Sequence, residues 1–125
     1  MKSMRQPRQQ PHPRNISAIT WVPQAVIGVP ISYLQEKNGL RFSKGSDDLD
    51  TFMGSEMLEV KGHEYLLRQY RGYPPDQIEV CLPFEVSDAK EIMRLVDAII
   101  DQLQVPPAKV TWHRGMDNSA LDKRD

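Results

Sequence analysis

At 125 residues, with 39% hydrophobic and 26% charged side chains, the chain has the composition of one ordinary globular domain. The net charge of -1 hides an asymmetry: residues 1–35 hold Lys2, Arg5, Arg8 and Arg14 and no acid, so the other 12 basic and all 17 acidic side chains lie from Glu36 onward. An acidic body argues against general nucleic-acid binding by the folded part, and one cysteine, Cys81, excludes an intrachain disulfide scaffold and makes the cytoplasm the expected compartment.

Residues 1–15 contain three prolines, three glutamines and four basic side chains with almost nothing apolar. Such a segment cannot offset the entropy of ordering, so a disordered basic arm is expected, with a frayed tail at 115–125 and one folded domain at 16–114. Residues 16–34 carry no charge, but Pro23, Gln24 and Pro30 make them a poor membrane helix. β-branched residues over 19–29 predict a strand, which Pro23 should demote to an edge or break in two. Pro30 then opens a short helical turn, with Ile31 and Leu34 on one face and Asn38-Gly39 as its left-handed stop. Residues 40–43 read as a brief strand and 44–50 as a loop rich in aspartate.

Three strands follow in the expected order. Residues 56–60 and 63–70 flank Lys61-Gly62, a two-residue hairpin signal. Gly72, Pro74 and Pro75 then impose a loop, because consecutive prolines donate no ladder bonds. Next, Ile78, Val80 and Leu82 alternate with Glu79, Cys81 and Pro83, the period of a strand with one apolar face. Residues 87–104 follow as a helix with Ser87 as N-cap; Ala89, Ile92, Met93, Leu95, Val96, Ile99, Ile100 and Leu103 share its apolar stripe. Pro106 and Pro107 stop it, and Val110 and Trp112 alternate with Thr111 and His113 in a closing strand. The expected fold is a two-layer α+β sandwich: a mostly antiparallel sheet of four or five strands, with one main amphipathic helix packed on one face.

Chemistry is less legible. Cys81 paired with His63 or His113 would be the thiolate–imidazole option, but strand alternation favours a buried, inert thiol. His12, His63, Cys81 and His113 lack paired zinc-ligand spacing, and Asp47, Asp48 and Asp50 lack the pattern of a calcium loop. No phosphate-cradling or hydrolase motif is present, so no cofactor, metal or catalytic residue is expected. The stretch Gly28, Val29, Pro30, Ile31, Ser32, Tyr33, Leu34, Asn38 and Phe42 resembles a short segment of adenine-specific DNA methyltransferases of restriction systems. Their Asn/Asp-Pro-Pro-Tyr/Phe tetrapeptide is missing here, and no activity is carried over.

The residues with interface character are Arg68, Tyr70, Arg71, Tyr73 and Asp76, where arginine and tyrosine supply contact area on a proline-stiffened loop. Asp47, Asp48 and Asp50 offer charge to a basic partner. The leading expectation is therefore a small non-enzymatic protein-binding or regulatory module, like bacterial immunity, antitoxin or inhibitor proteins in size and acidity. The alternative is a nucleic-acid accessory in which Lys2, Arg5, Arg8 and Arg14 touch phosphates, with a salt slope of about -3.6 for four contacts.

Overall fold

A computed structural model describes residues 19–46 and 50–113. In chain order these form β1 (Trp21–Ile27), α1 (Ile31–Asn38), β2 (Phe42–Ser46), β3 (Thr51–Ser55), β4 (Leu58–Val60), β5 (His63–Tyr70), β6 (Ile78–Pro83), α2 (Ala89–Gln102) and β7 (Val110–His113), with a 3-10 turn at Pro107–Lys109. The α+β class is as expected, but the antiparallel sheet has seven strands rather than four or five. Its order is β2-β3-β5-β6-β1-β7. β4 pairs with the first half of β5, Leu58 opposite Tyr65, and β3 with the second half, Phe52 opposite Tyr70.

Two departures from expectation shape the sheet, the first of which adds a strand. The segment expected to be a loop from Lys44 is strand through Ser46, and Thr51–Ser55, which shows no alternation, pairs with it as β3. Pro23 also neither breaks β1 nor puts it at an edge, since β1 lies between β6 and β7. The register shifts between Pro23 and Ala25, so a bulge at Gln24 absorbs the missing donor, and β7 pairs only with Ala25, Val26 and Ile27 beyond it.

The local turn chemistry follows the sequence. Gly39 ends α1 at φ 66° and its N–H reaches the Gln35 carbonyl, while Lys61 and Gly62 both take positive φ, 49° and 77°, between β4 and β5. Two left-handed residues match the twist of a hairpin, which is why glycine follows Lys61. The helix α2 starts at Ala89 with Asp88, not Ser87, as its cap; the Asp88 carboxylate accepts the Glu91 N–H at 2.9 Å.

Strand alternation sends Ala25 and Ile27, Tyr65 and Leu67, and Ile78, Val80 and Leu82 to one side, where they pack fully buried against Leu34, Leu95, Val96 and Ile99. Each such aliphatic side chain contributes about 1.5–3 kcal/mol by burial. Met93 and Ala89 fall outside the stripe: Met93 is 42% exposed and Ala89 is open to solvent. Polar contacts fix the layers, with Asn38 Nδ2 donating to the Leu103 carbonyl at 3.0 Å and the Tyr33 hydroxyl to that of Gln104 at 2.6 Å. The Tyr65 hydroxyl donates to Gln102 Oε1, and burial pushes that phenol above its ordinary pKa. Among the described residues no helix is long and apolar enough to cross a membrane.

Candidate functional site

The same alternation sends a second set of side chains to the sheet face away from the helices. On β5 these are Leu66, Arg68 and Tyr70, and on β6 Glu79, Cys81 and Pro83; Arg68 pairs directly with Glu79, and Leu66 with Cys81. Arg68 and Glu79 are only 9% and 6% exposed. Ions so buried need near-complete hydrogen bonding. Arg68 Nε and Nη2 both donate to Glu79 Oε1, at 3.1 and 2.9 Å, and the Cys81 thiol donates to the same oxygen at 3.6 Å. The Tyr73 hydroxyl donates to Oε2, so both carboxylate oxygens are engaged.

Aromatic rings wall this ion pair. Phe52 meets Tyr70 edge-on at 5.7 Å, Tyr70 meets Tyr73 edge-on at 5.6 Å, and the Arg68 guanidinium carbon lies 4.9 Å from the centre of the Tyr70 ring. Glycine makes room for Phe52. A Cβ on Gly45 would stand 2.9 Å from its ring and one on Gly54 3.1 Å, so the ring roofs a cross-strand gap that larger residues would close.

The loop over residues 71–77 is tied down at both ends. The Arg71 N–H donates to the Thr51 carbonyl and that of Gln77 to Pro74, while Gln69 Nε2 donates to the Pro75 carbonyl, all within 3.1 Å. Arg71 Nη2 lies 2.9 Å from Asp50 Oδ1, which also accepts the Thr51 N–H at 2.7 Å. Between this loop and the start of β1 lies an open depression of about 610 Å³, lined by Trp21, Pro23, Asp50, Tyr70, Gly72 and Tyr73, with Arg68 and Glu79 also exposed to it.

The electrostatics suit holding rather than reacting. Burial pushes the Cys81 thiol well up, and the Glu79 carboxylate beside it adds to this against the opposing pull of Arg68. Burial, then the Glu79 hydrogen bond, raise the Tyr73 phenol. For Arg68, burial alone would lower the guanidinium, but the Glu79 carboxylate, by its charge and its hydrogen bonds, favours the charged form and the pKa stands above its ordinary value. The thiol and the phenol therefore stay protonated and act as donors to Glu79.

Of the residues singled out by interface character, Arg68, Tyr70, Tyr73 and Asp50 come together here, and Arg71 joins through Asp50 while remaining exposed. Asp76 is exposed on the far part of the loop and does not line the depression. Asp47 and Asp48, and Lys2, Arg5, Arg8, His12 and Arg14, lie outside the described residues. The thiolate–imidazole option is not assembled: His63 sits 3.2 Å from Glu91 of α2, and His113 borders a groove with Val96 and Asp97, both on the helix side, whereas Cys81 faces away.

Sequence reasoning missed Glu79, Trp21 and Phe52. Glu79 occupies the polar phase of an alternating strand, where the default reading is solvent. The available signal was its company, since Cys81 and Pro83 share that phase and neither is a solvating residue. A second feature was also unforeseen: Glu59, Glu64, Glu85, Asp88 and Glu91 gather around His63 in an acidic cleft of about 670 Å³. Among the described residues no group of three or more His, Cys, Asp or Glu side chains is placed to hold a metal ion. The chain matches no protein-family model, no curated protein and no solved structure.

Proposed function

We propose that this chain is a non-enzymatic protein-binding module that presents the outer face of its sheet, at the depression between Trp21 and Tyr73, to a partner protein. The observation that carries the reading is the depression itself: aromatic side chains, which dominate interface hot spots together with arginine, surround the Arg68–Glu79 ion pair, whose carboxylate is satisfied from within. Its loop is hydrogen-bonded to the neighbouring strands, so little conformational freedom has to be lost on docking. The titratable groups are engaged with one another, and Glu79, the one buried carboxylate of the cluster, receives four donors. Binding therefore fits the site better than proton transfer does.

Gly72 supplies the test. It lines the depression, and a Cβ built on it meets nothing within 4 Å, so a side chain there obstructs the opening without disturbing the fold. Bait carrying Gly72→Gln should melt like wild type yet lose a partner that wild-type bait retains from native extract. Identical retention by both baits, or a partner lost equally through Lys90→Glu on the opposite helix, refutes the assignment of the surface.

A further inference from the structure

The donors on Glu79 are divided unevenly between its two oxygens. Oε1 takes Arg68 Nε at 3.1 Å, Arg68 Nη2 at 2.9 Å and the Cys81 thiol at 3.6 Å, all from β5 and β6, whereas Oε2 takes the Tyr73 hydroxyl, which belongs to the loop. The strands therefore hold the carboxylate without the loop. Cross-strand pairing and burial fix its position, so Oε2 is a rigid acceptor offered to the segment that passes above it.

Tyr73 is the loop's hold on that acceptor. From Arg71 to Asp76 every other residue is exposed, and Tyr73 alone is half-buried, its ring edge-on to Tyr70 at 5.6 Å. The other side-chain ties of the loop lie at its periphery: Arg71 reaches Asp50 through an exposed guanidinium, and Gln69 Nε2 donates to the Pro75 carbonyl at 3.0 Å. On one side of Tyr73 stands Gly72, where a Cβ would meet nothing within 4 Å, and on the other stand Pro74 and Pro75. A glycine bends at little cost and two prolines keep their shape, so the segment swings about Gly72 as a unit once the hydroxyl lets go.

We propose that Tyr73 is a positioning residue: its hydroxyl, seated on Glu79 Oε2, holds the loop over residues 71–77 closed on the sheet, and the closed loop is the form in which the outer-face depression binds its partner. The inference rests on the protein-binding reading above and assigns the control of that site. It also gives the buried Arg68–Glu79 pair a use. Such a pair adds little stability over well-packed apolar residues, yet it supplies a charged, immobile acceptor where the loop needs one. A partner that binds only the closed form is weakened in proportion to the fraction of chains whose loop stands open.

Tyr73→Phe tests this, because it keeps the ring and removes the hydroxyl. Hydrogen exchange on the full chain, with no partner added, compares the amides of Arg71, Tyr73 and Gln77, which are hydrogen-bonded in the closed loop, with those of Leu67 and Val80 in the strands. In the variant both sets should exchange about tenfold faster or more, since loop opening and global unfolding each break the lost bond. A bond broken only on global unfolding would speed Leu67 and Val80 and leave the loop amides as they were; that result, or no change in either set, overturns the proposal. Binding supplies the second readout. A partner that wild-type bait retains from native extract should be held about fivefold less by Tyr73→Phe, whereas a ring that only makes contact would let phenylalanine bind as tyrosine does. A partner lost through Gly72→Gln but kept by Tyr73→Phe sinks this inference while leaving the protein-binding reading standing.

Discussion

Arg68 and Glu79 show how one register places a charge pair where neither residue would go alone. They are direct cross-strand neighbours on the sheet face away from the helices, and each is buried because the other is present. Removing one partner strands the other. Glu79→Leu should therefore cost about 3–5 kcal/mol, whereas Arg68→Met combined with Glu79→Leu should recover most of that, as replaced buried ion pairs commonly do. Denaturant midpoints on the two single variants and the double variant measure the coupling; additive losses would contradict it. Cys81 provides a second residue-scale prediction. Its thiol is raised in the folded state, so between the unfolded thiol pKa of about 8.5 and the onset of tyrosine ionisation near about 10 the unfolded chain loses a proton the folded chain keeps. Stability then falls as pH rises through that window. Cys81→Ala should flatten the slope, and a slope unchanged by the substitution would mean another group is responsible.

At the scale of elements, what was legible followed from local chemistry and what was not followed from pairing. Gly39, the Lys61-Gly62 turn, the alternation of β6 and the stripe of α2 are each set by residues within a few positions of one another, and all were readable. β3 was not, because Thr51–Ser55 owes its strand to Phe52, whose ring rests over Gly45 of β2 and beside Tyr70 of β5. Half of the candidate site was readable by residue type, namely Arg68, Tyr70, Tyr73 and Asp50; Glu79 and Trp21 required the register. The start of α2 is a local feature with a measurable role. Asp88→Ala should cost about 1 kcal/mol through loss of the cap on the Glu91 N–H, while Ser87→Ala should cost almost nothing. Within the same turn, hydrogen bonds from Arg94 to both oxygens hold the Glu91 carboxyl below its ordinary value, with Arg94 and His63 charges assisting. A depressed carboxyl favours the fold above its unfolded pKa and ceases to do so as pH falls through the folded one. In Arg94→Ala the Glu91 carboxyl carbon should titrate at a higher pH than in wild type; coincident curves would dismiss the ion pair.

For the molecule as a whole, the sheet is a partition with two unlike faces. One carries the apolar core and both helices, the other a polar cluster roofed by rings, and β5 and β6 supply residues to both. That double duty makes them the centre of stability. β6 is buried along its whole length, while β2 is mostly open and β7 only half-buried, as the outermost of the described strands. Opening β2 or β7 breaks one ladder and little packing; opening β5 or β6 exposes the core and separates Arg68 from Glu79 at once. Amide exchange should thus be slowest at Leu66, Leu67, Val80 and Cys81, approaching the global unfolding free energy, and faster by orders of magnitude across β2 and β7. A ligand in the depression should slow the amides of Gly72 and Tyr73 without altering the β5 and β6 plateau, because the loop opens locally and the strands only globally. Protection of β7 equal to that of β6 would show that the sheet continues past Val110–His113 into another strand or another copy, and would move the sheet's centre away from the ion pair.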